Sequence, residues 1–345
     1  MFLKDTFSTE NGFKKSSFKS PFSTTKKVVL ATTILFTAST AMASTVFKLS
    51  HNQDKKHPVH QSMQYMADEI KKMSDGELVV RIYPNGQLGT QRESMELLQN
   101  GALQMAKSNA SELESFEPSY GAFNIPYIFI SRDHYYRTLT GDVGEKILAS
   151  SEAKGFVGLT YYDGGSRSFY ANKAINSPAD LKGMKIRVQP SPTAISMITL
   201  MGGSATPLPY GELYTALQQG VVDGAENSPS ALTSSRHGEV SKVYSQDEHT
   251  MIPDVLVMSS QSWNKLSSEE QNIFRTAAKN SMLFHKKLWT KATNESIEKA
   301  KSSMGVKFVT VEKQPFVDAV KPMHDEALKN PAIADYVKSI KALAN

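Results

Sequence analysis

The chain has 345 residues, 39 Lys and Arg against 34 Asp and Glu, and no cysteine, which excludes a disulfide framework, a lipid anchor on cysteine and cysteine catalysis. Six of the basic residues and two of the acidic ones precede residue 44, leaving 33 against 32 over the remaining 302. The basic balance therefore belongs to the leader, and no nucleic-acid partner is expected from a mature chain without a basic face.

Lysines at 14, 15, 19, 26 and 27 precede an apolar run from Val28 to Ala41 and the small-residue site Ala41-Met42-Ala43. This order predicts a secretory signal peptide over 1–43, cleaved before Ser44; the run of about 14 residues falls short of the ~20 needed to span a bilayer. A periplasmic destination is expected. The ~300 residues that remain exceed one ordinary core and suit two lobes.

From Ser44 short strands alternate with amphipathic helices. Val46–Ser50 reads as a strand, and Val59, Met63, Met66, Ile70 and Met73 form one apolar stripe of a helix. Glu77–Tyr83 is the next strand, stopped by Pro84-Asn85-Gly86, and a helix over about Thr90–Asn100 ends at Gly101 as a left-handed cap. This β-α-β-α-β order belongs to a mostly parallel sheet. A second series begins near Gly155, with strands at Phe156–Tyr161, Arg167–Ala171, Lys185–Val188 and Gly224–Asn227 and helices around Thr193–Met201 and Gly211–Gln219. Ser267-Ser268-Glu269-Glu270 then opens an amphipathic helix to about Ser303, ~50 Å long and able to cross both lobes. A strand over Val306–Val311 and two helices close the chain. With no repeat and no low-complexity linker, the lobes are expected to be joined by strands, the chain crossing more than once.

Enzyme signatures fail: there is no G-x-S-x-G elbow, Walker A loop, G-x-G-x-x-G or H-E-x-x-H. His57-Pro58-Val59-His60 with His51 comes nearest to a metal cluster, but no carboxylate or third ligand stands at a supporting spacing. No metal or cofactor is expected; His57 reads as a polar loop residue at a cleft and His60 as an ordinary helix residue.

Arg187 departs from the usual solvated arginine because Met184, Ile186 and Val188 make the other face of its strand apolar, and Gln189-Pro190 ends that strand. An arginine at the carboxyl end of an α/β strand stands where such folds hold ligands, and its planar fork suits a carboxylate; an interlobe salt bridge is the competing role. Arg167 follows the turn Asp163-Gly164-Gly165-Ser166, with Glu226 as an acidic partner that would make it structural. Asn227 ends its strand before Ser228-Pro229 and can both accept and donate. In the first lobe, Lys107 and Asn109 fall on one face of a polar strand end. Tyr210 is either core or a floor for a ring.

In order and spacing, YPNGQLG, LLQNGALQMA, FNIPYIF, GGSRSFYANK, LKGMKIRVQPSP, ELYTALQQGVVDGAENSP and HTMIPDVLVMSSQSWNKL resemble the DctP-type solute-binding proteins of tripartite ATP-independent periplasmic (TRAP) transporters, over nearly everything after Ser44. The resemblance implies an α/β, two-lobed periplasmic binding protein (Venus flytrap, type II-like) with a long helix crossing both lobes. It implies a receptor rather than an enzyme, mostly monomeric, that delivers an organic acid to a sodium-coupled TRAP permease. On that basis lobe I spans 44–165 plus about 253–292, and lobe II 166–252 plus about 293–345. Carried over, Arg187 is the main carboxylate clamp, Arg167 a second ligand contact held by Glu226, Asn227 a neighbour of the carboxylate, and Tyr210 an aromatic wall.

The first lobe departs from the sialic acid receptors of this family. Asn52 keeps their polar residue after the first strand, but Asn109 stands where they carry a glutamate and Gln91 where they carry an acid after QLG. Glu93, Lys107 and His57 are available instead, a mix suited to a polyhydroxylated acid and similar to receptors for hexuronates such as glucuronate or galacturonate. Another acid (sialic acid, an aldonate, a C4 dicarboxylate), a secreted sugar-acid enzyme using Glu93 or Asp254, and a subunit that reports the acid to a kinase are the alternatives.

Overall fold

The computed structural model describes residues 15–19 and 44–344, so the predicted leader lies outside the described residues except for its piece 15–19. Among the described residues no helix is long and apolar enough to cross a membrane. From residue 44 onward eleven strands are described, numbered in chain order: β1 (Thr45–Ser50), β2 (Leu78–Tyr83), β3 (Met105–Asn109), β4 (Phe156–Tyr162), β5 (Ser166–Ala171), β6 (Lys185–Val188), β7 (Ser204–Pro207), β8 (Gly224–Asn227), β9 (Val243–Met251), β10 (Asp254–Ser259) and β11 (Lys307–Thr310).

They form two sheets, in the orders β2-β1-β3-β10-β4 and β11-β9-β5-β8-β6-β7. β1, β2 and β3 run parallel, as β-α-β-α-β requires, and β10 enters antiparallel between β3 and β4. Strand alternation sorts each sheet's side chains into two cores. In the first lobe Val255 and Val257 join Leu98, Tyr120 and Phe123, while Leu256 and Met258 join Leu49, Met63 and Phe274 on the opposite face. In the second, Phe169 and Ala171 pack with Ile186 and Phe316, and Tyr170 packs with Leu213 and Tyr244.

The helix Pro58–Met73 starts with proline in its first turn and buries Val59, Met63, Met66 and Ile70 as the stripe predicts. Met73, the stripe's last member, is 37% exposed because the helix ends there. Gly101 does take the left-handed conformation, at φ 81°.

Four passages link the lobes. β4 leads to β5, and β9 to β10, through short crossings that touch: a Cβ at Gly164 would sit 2.5 Å from the Ile252 carbonyl, so only glycine lets them approach. The third is the helix Ser268–Met304, opened by the Ser267/Glu270 capping box and closed by Gly305 at φ 68°. Its Phe274, Ala277 and Ala278 enter a first-lobe core and Ala300 a second-lobe core. The fourth separates the helix Gln314–Ala327, whose Phe316 and Val320 lie in the second lobe, from Ala334–Ala342. That last helix differs from the expected boundary, which assigned all of 293–345 to lobe II. Its Val337 and Ile340 are buried among Tyr120, Ile147 and other first-lobe residues, and His134 Nε2 donates to the Ile340 carbonyl at 2.7 Å.

Candidate ligand-binding site

A cleft between the sheets is lined from the first lobe by Asn52, Gln53, His57, Lys107, Asn109 and Asp254, and from the second by Arg167, Gln189, Tyr210, Asn227, Ser228 and Ser230, with Trp289 of the long helix between them.

Arg187, on β6, is wholly buried beside this lining rather than on it. Its Nε and Nη2 both donate to the Leu208 carbonyl, at 2.9 and 2.7 Å, and its guanidinium carbon lies 5.7 Å from the centre of the Tyr210 ring. Nη1 has no partner, and among the described residues no carboxylate reaches Arg187, so the interlobe salt bridge is absent. Burial pulls its pKa below the ordinary arginine value, the mark of a charge stripped of water.

Arg167 is the opposite case. β8 lies between β5 and β6, so Glu226 and Asn227, distant in chain order, are on the strand beside Arg167. Nε donates to Glu226 Oε2 at 2.6 Å, Nη2 to Glu226 Oε1 and to the Glu226 carbonyl at 2.8 Å, and Nη1 to Asn227 Oδ1 at 3.0 Å. One Nη1 hydrogen is left over. Burial alone would raise the Glu226 pKa, but Arg167 and His249 outweigh it and hold it at about 2. His249 lies 2.7 Å from Asp247 and 3.3 Å from Glu226; against the cost of burial, these carboxylates raise its pKa to about 9. Asn227 Oδ1 also accepts from the Ser228 amide, which leaves its Nδ2 group as the donor. Tyr210 is a wall rather than core, half-buried, with its hydroxyl 2.6 Å from that of Ser235.

On the first-lobe wall, His57 caps the helix Pro58–Met73: its Nδ1 accepts from the Val59 amide at 3.3 Å. Burial, then the Lys107 charge, lowers its pKa to about 3, so the ring is neutral and carries its proton on Nε2. His60, expected to be an ordinary helix residue, pairs with His51 at 2.9 Å between ring nitrogens. Lys107 is buried and donates to Asp254 Oδ1 at 3.0 Å and Gln91 Oε1 at 2.9 Å; Gln91 in turn donates to Glu112 at 2.7 Å. Asn109 Oδ1 accepts from the Glu112 amide. Asn52, directly after His51 at the end of β1, has a buried Oδ1 without a partner.

Glu93 is the predicted site residue that the fold does not bring in. It is exposed, its Oε2 accepts from the Thr90 amide at 2.8 Å to complete a capping box, and it lines the outer opening with Asn85, Arg92 and Glu212. Its place just after QLG suggested the cleft, but helix capping directs its carboxylate back to its own backbone.

Gln189 and Trp289 join the lining without having been expected there, and Asp254, named in the sequence only for the enzyme alternative, joins it as the partner of Lys107. Gln189 carried a signal, since it follows the arginine strand and precedes a proline; Trp289 carried none beyond the rarity of tryptophan in this chain. Trp289 stacks on His285 with ring centres 5.3 Å apart, and its indole Nε1 has no partner. Among the described residues, the buried groups around the cleft without partners thus include the donors Arg187 Nη1 and Trp289 Nε1 and the acceptors Asn52 Oδ1 and Gln189 Oε1. Buried polar groups are rarely left so, and this set matches an anion that also carries hydroxyls.

The family model for bacterial extracellular solute-binding proteins, family 7 (DctP), matches residues 49–330. The YiiZ protein of Salmonella typhimurium is 38% identical over 318 residues, covering 89% of this chain and 97% of its own. Among solved structures, a TRAP periplasmic solute-binding protein from a Bradyrhizobium species in complex with α/β-D-galacturonate is 41% identical, with a TM-score of 0.84 over 86% of this chain and 100% of that one. Another, from Anaerococcus prevotii with bound α/β-D-glucuronate, is 38% identical with a TM-score of 0.85, covering 87% of this chain and 98% of the other.

Proposed function

This chain belongs to the bacterial extracellular solute-binding proteins of family 7, and on that premise we propose that it is the receptor of a TRAP transporter for a hexuronate, D-galacturonate or D-glucuronate. It acts in the periplasm after loss of its leader, returns the acid unaltered, and hands it to a sodium-coupled permease. The observation that carries this reading is the wholly buried Arg187 with an unpaired Nη1 beside a cleft of unpaired hydroxyl partners. The sugar carboxylate pairs with Arg187 and with the spare hydrogen of Arg167 Nη1, in charge-assisted bonds stronger than neutral ones. Asn52, Gln189, Asn227, the His57 ring and the Trp289 indole remain to pair the ring hydroxyls. A C4 dicarboxylate or a four-carbon aldonate supplies fewer hydroxyls than a hexuronate to meet these partners, and each buried group left unmade costs about 1–3 kcal/mol.

Thermal shift and calorimetry across D-galacturonate, D-glucuronate, an aldonate, sialic acid and a C4 dicarboxylate test the reading. A uronate should raise the melting temperature most, as preferential binding to the folded state requires. A larger shift with a C4 dicarboxylate than with either uronate would overturn it, and NMR of the recovered acid decides between receptor and enzyme.

A further inference from the structure

The segment that carries Arg187 and Gln189 continues into Ser191 and the helix Pro192–Leu200 of the second lobe. Part of the start of that helix is satisfied from the other lobe. Glu114, just past the first-lobe helix Ala110–Leu113, accepts through Oε1 from the Ser191 hydroxyl and from the Thr193 amide at 3.0 Å, and through Oε2 from the Thr193 hydroxyl at 2.8 Å. Ser191 Oγ itself accepts from the Ala194 amide at 3.0 Å, so the capping side chain and the foreign carboxylate form one unit. On its own side Glu114 is fixed by Asn124, whose Nδ2 donates to Oε2 at 2.8 Å and to the Ala110 carbonyl at 3.1 Å. A negative charge complements the positive end of a helix, and three charge-assisted bonds converge on it here.

We propose that Glu114 is an interlobe latch, a positioning residue that holds the arginine-bearing segment against the first lobe and so sets how much of the protein is closed and how long an acid stays bound. It lies outside the cleft lining and acts through Ser191 and Thr193 on Gln189 and Arg187. The part concerning bound acid rests on the function proposed above. Free energy from these bonds exists only when the lobes meet, so it shifts the open–closed equilibrium by its full differential value.

The absence of cysteine makes the test clean: spin labels at Lys72→Cys and Lys182→Cys, both exposed and one on each lobe, report interlobe distance by double electron–electron resonance. E114A should lose short distances relative to the unaltered latch and release D-galacturonate at least tenfold faster with little change in association rate, and E114Q, which keeps one acceptor oxygen, should fall between. T193V approaches the latch from the other lobe, leaves Glu114 in place, and serves if E114A folds poorly; its effect and that of E114A should not add. Equal distance distributions in E114A or T193V and the parent, with and without D-galacturonate, would overturn the latch. Failure of the parent to hold either uronate would instead sink the hexuronate reading, with the distance distributions still deciding the role of Glu114.

Discussion

On the second-lobe side of the cleft, charge is fixed by the protein itself: Arg167 is locked by Glu226, Asn227 and the backbone, and Arg187, just behind the lining, by the Leu208 carbonyl. On the first-lobe wall the one cation, Lys107, is neutralised by Asp254, and the remaining groups are amides and a neutral imidazole, Gln91 and Lys107 being joined in a hydrogen-bonded chain. The difference separates two tasks. A rigid, under-paired guanidinium selects for an anion whatever its shape, whereas a wall of neutral donors and acceptors reads where hydroxyls stand.

Arg187→Ala puts this division of labour under the heaviest load. Removing the under-paired charge should weaken uronate binding more than a hundredfold, in line with about 3–5 kcal/mol for one half of a buried charge pair, as read by calorimetry. An unchanged affinity would transfer the clamp to Arg167. Glu226→Ala attacks the same wall through stability: with Arg167 left buried without its carboxylate, beside a His249 that keeps only Asp247, urea denaturation should show a loss of about 3–5 kcal/mol even without ligand. Lys107→Met tests the opposite wall. It strands Asp254 and Gln91, so affinity should drop about tenfold and the ratio between D-galacturonate and D-glucuronate should change; a preserved ratio would mean that the first lobe does not read hydroxyls.

The histidines around the cleft respond to pH in opposite directions, and the second lobe holds both kinds. His51 and His57, at about 2 and 3, are held neutral first by burial and then by Lys107, and His237, also at about 3, by burial and then by Arg187. An unfolded histidine protonates near 6.5, so their contribution is present above that pH and is lost as pH falls toward 3. His249, raised to about 9, contributes fully below 6.5, and that contribution disappears as pH rises through 9. Urea midpoints should therefore fall on both sides of neutrality, and His249→Gln should remove the alkaline limb alone. The smallest effect is expected from Glu93→Ala: a slight drop in melting temperature from the lost cap, with uronate affinity unchanged.

Local pattern made much of this legible. KIRV and GAEN are strands over the residues their alternation marks, because one face of each is core, and Ser267-x-x-Glu270 opens the long helix because capping chemistry is local. Sheet order was not legible, since the insertion of β8 between β5 and β6 depends on crossovers that side-chain periodicity does not encode. Nor was the return of Ala334–Ala342 to the first lobe, as an apolar helix face does not name the core it fills. Site residues followed the same division: Lys107 and Asn109 share the cleft as strand period dictates, while Trp289 reaches it only because a 37-residue helix passes the gap at that turn.

The lone nitrogen of Arg187 bears on what the cleft rejects. A neutral hexose has nearly the outline of its uronic acid and would meet the same polar walls, so shape gives little ground for refusing it. What it lacks is a countercharge, and Arg187, with no exposed surface, has no water to fall back on once the lobes meet. Under the proposed function the wrong sugar is therefore free to enter but does not hold the lobes shut. On that reading only a charged cargo gives the receptor a lasting closed form, the form it would present to a membrane partner.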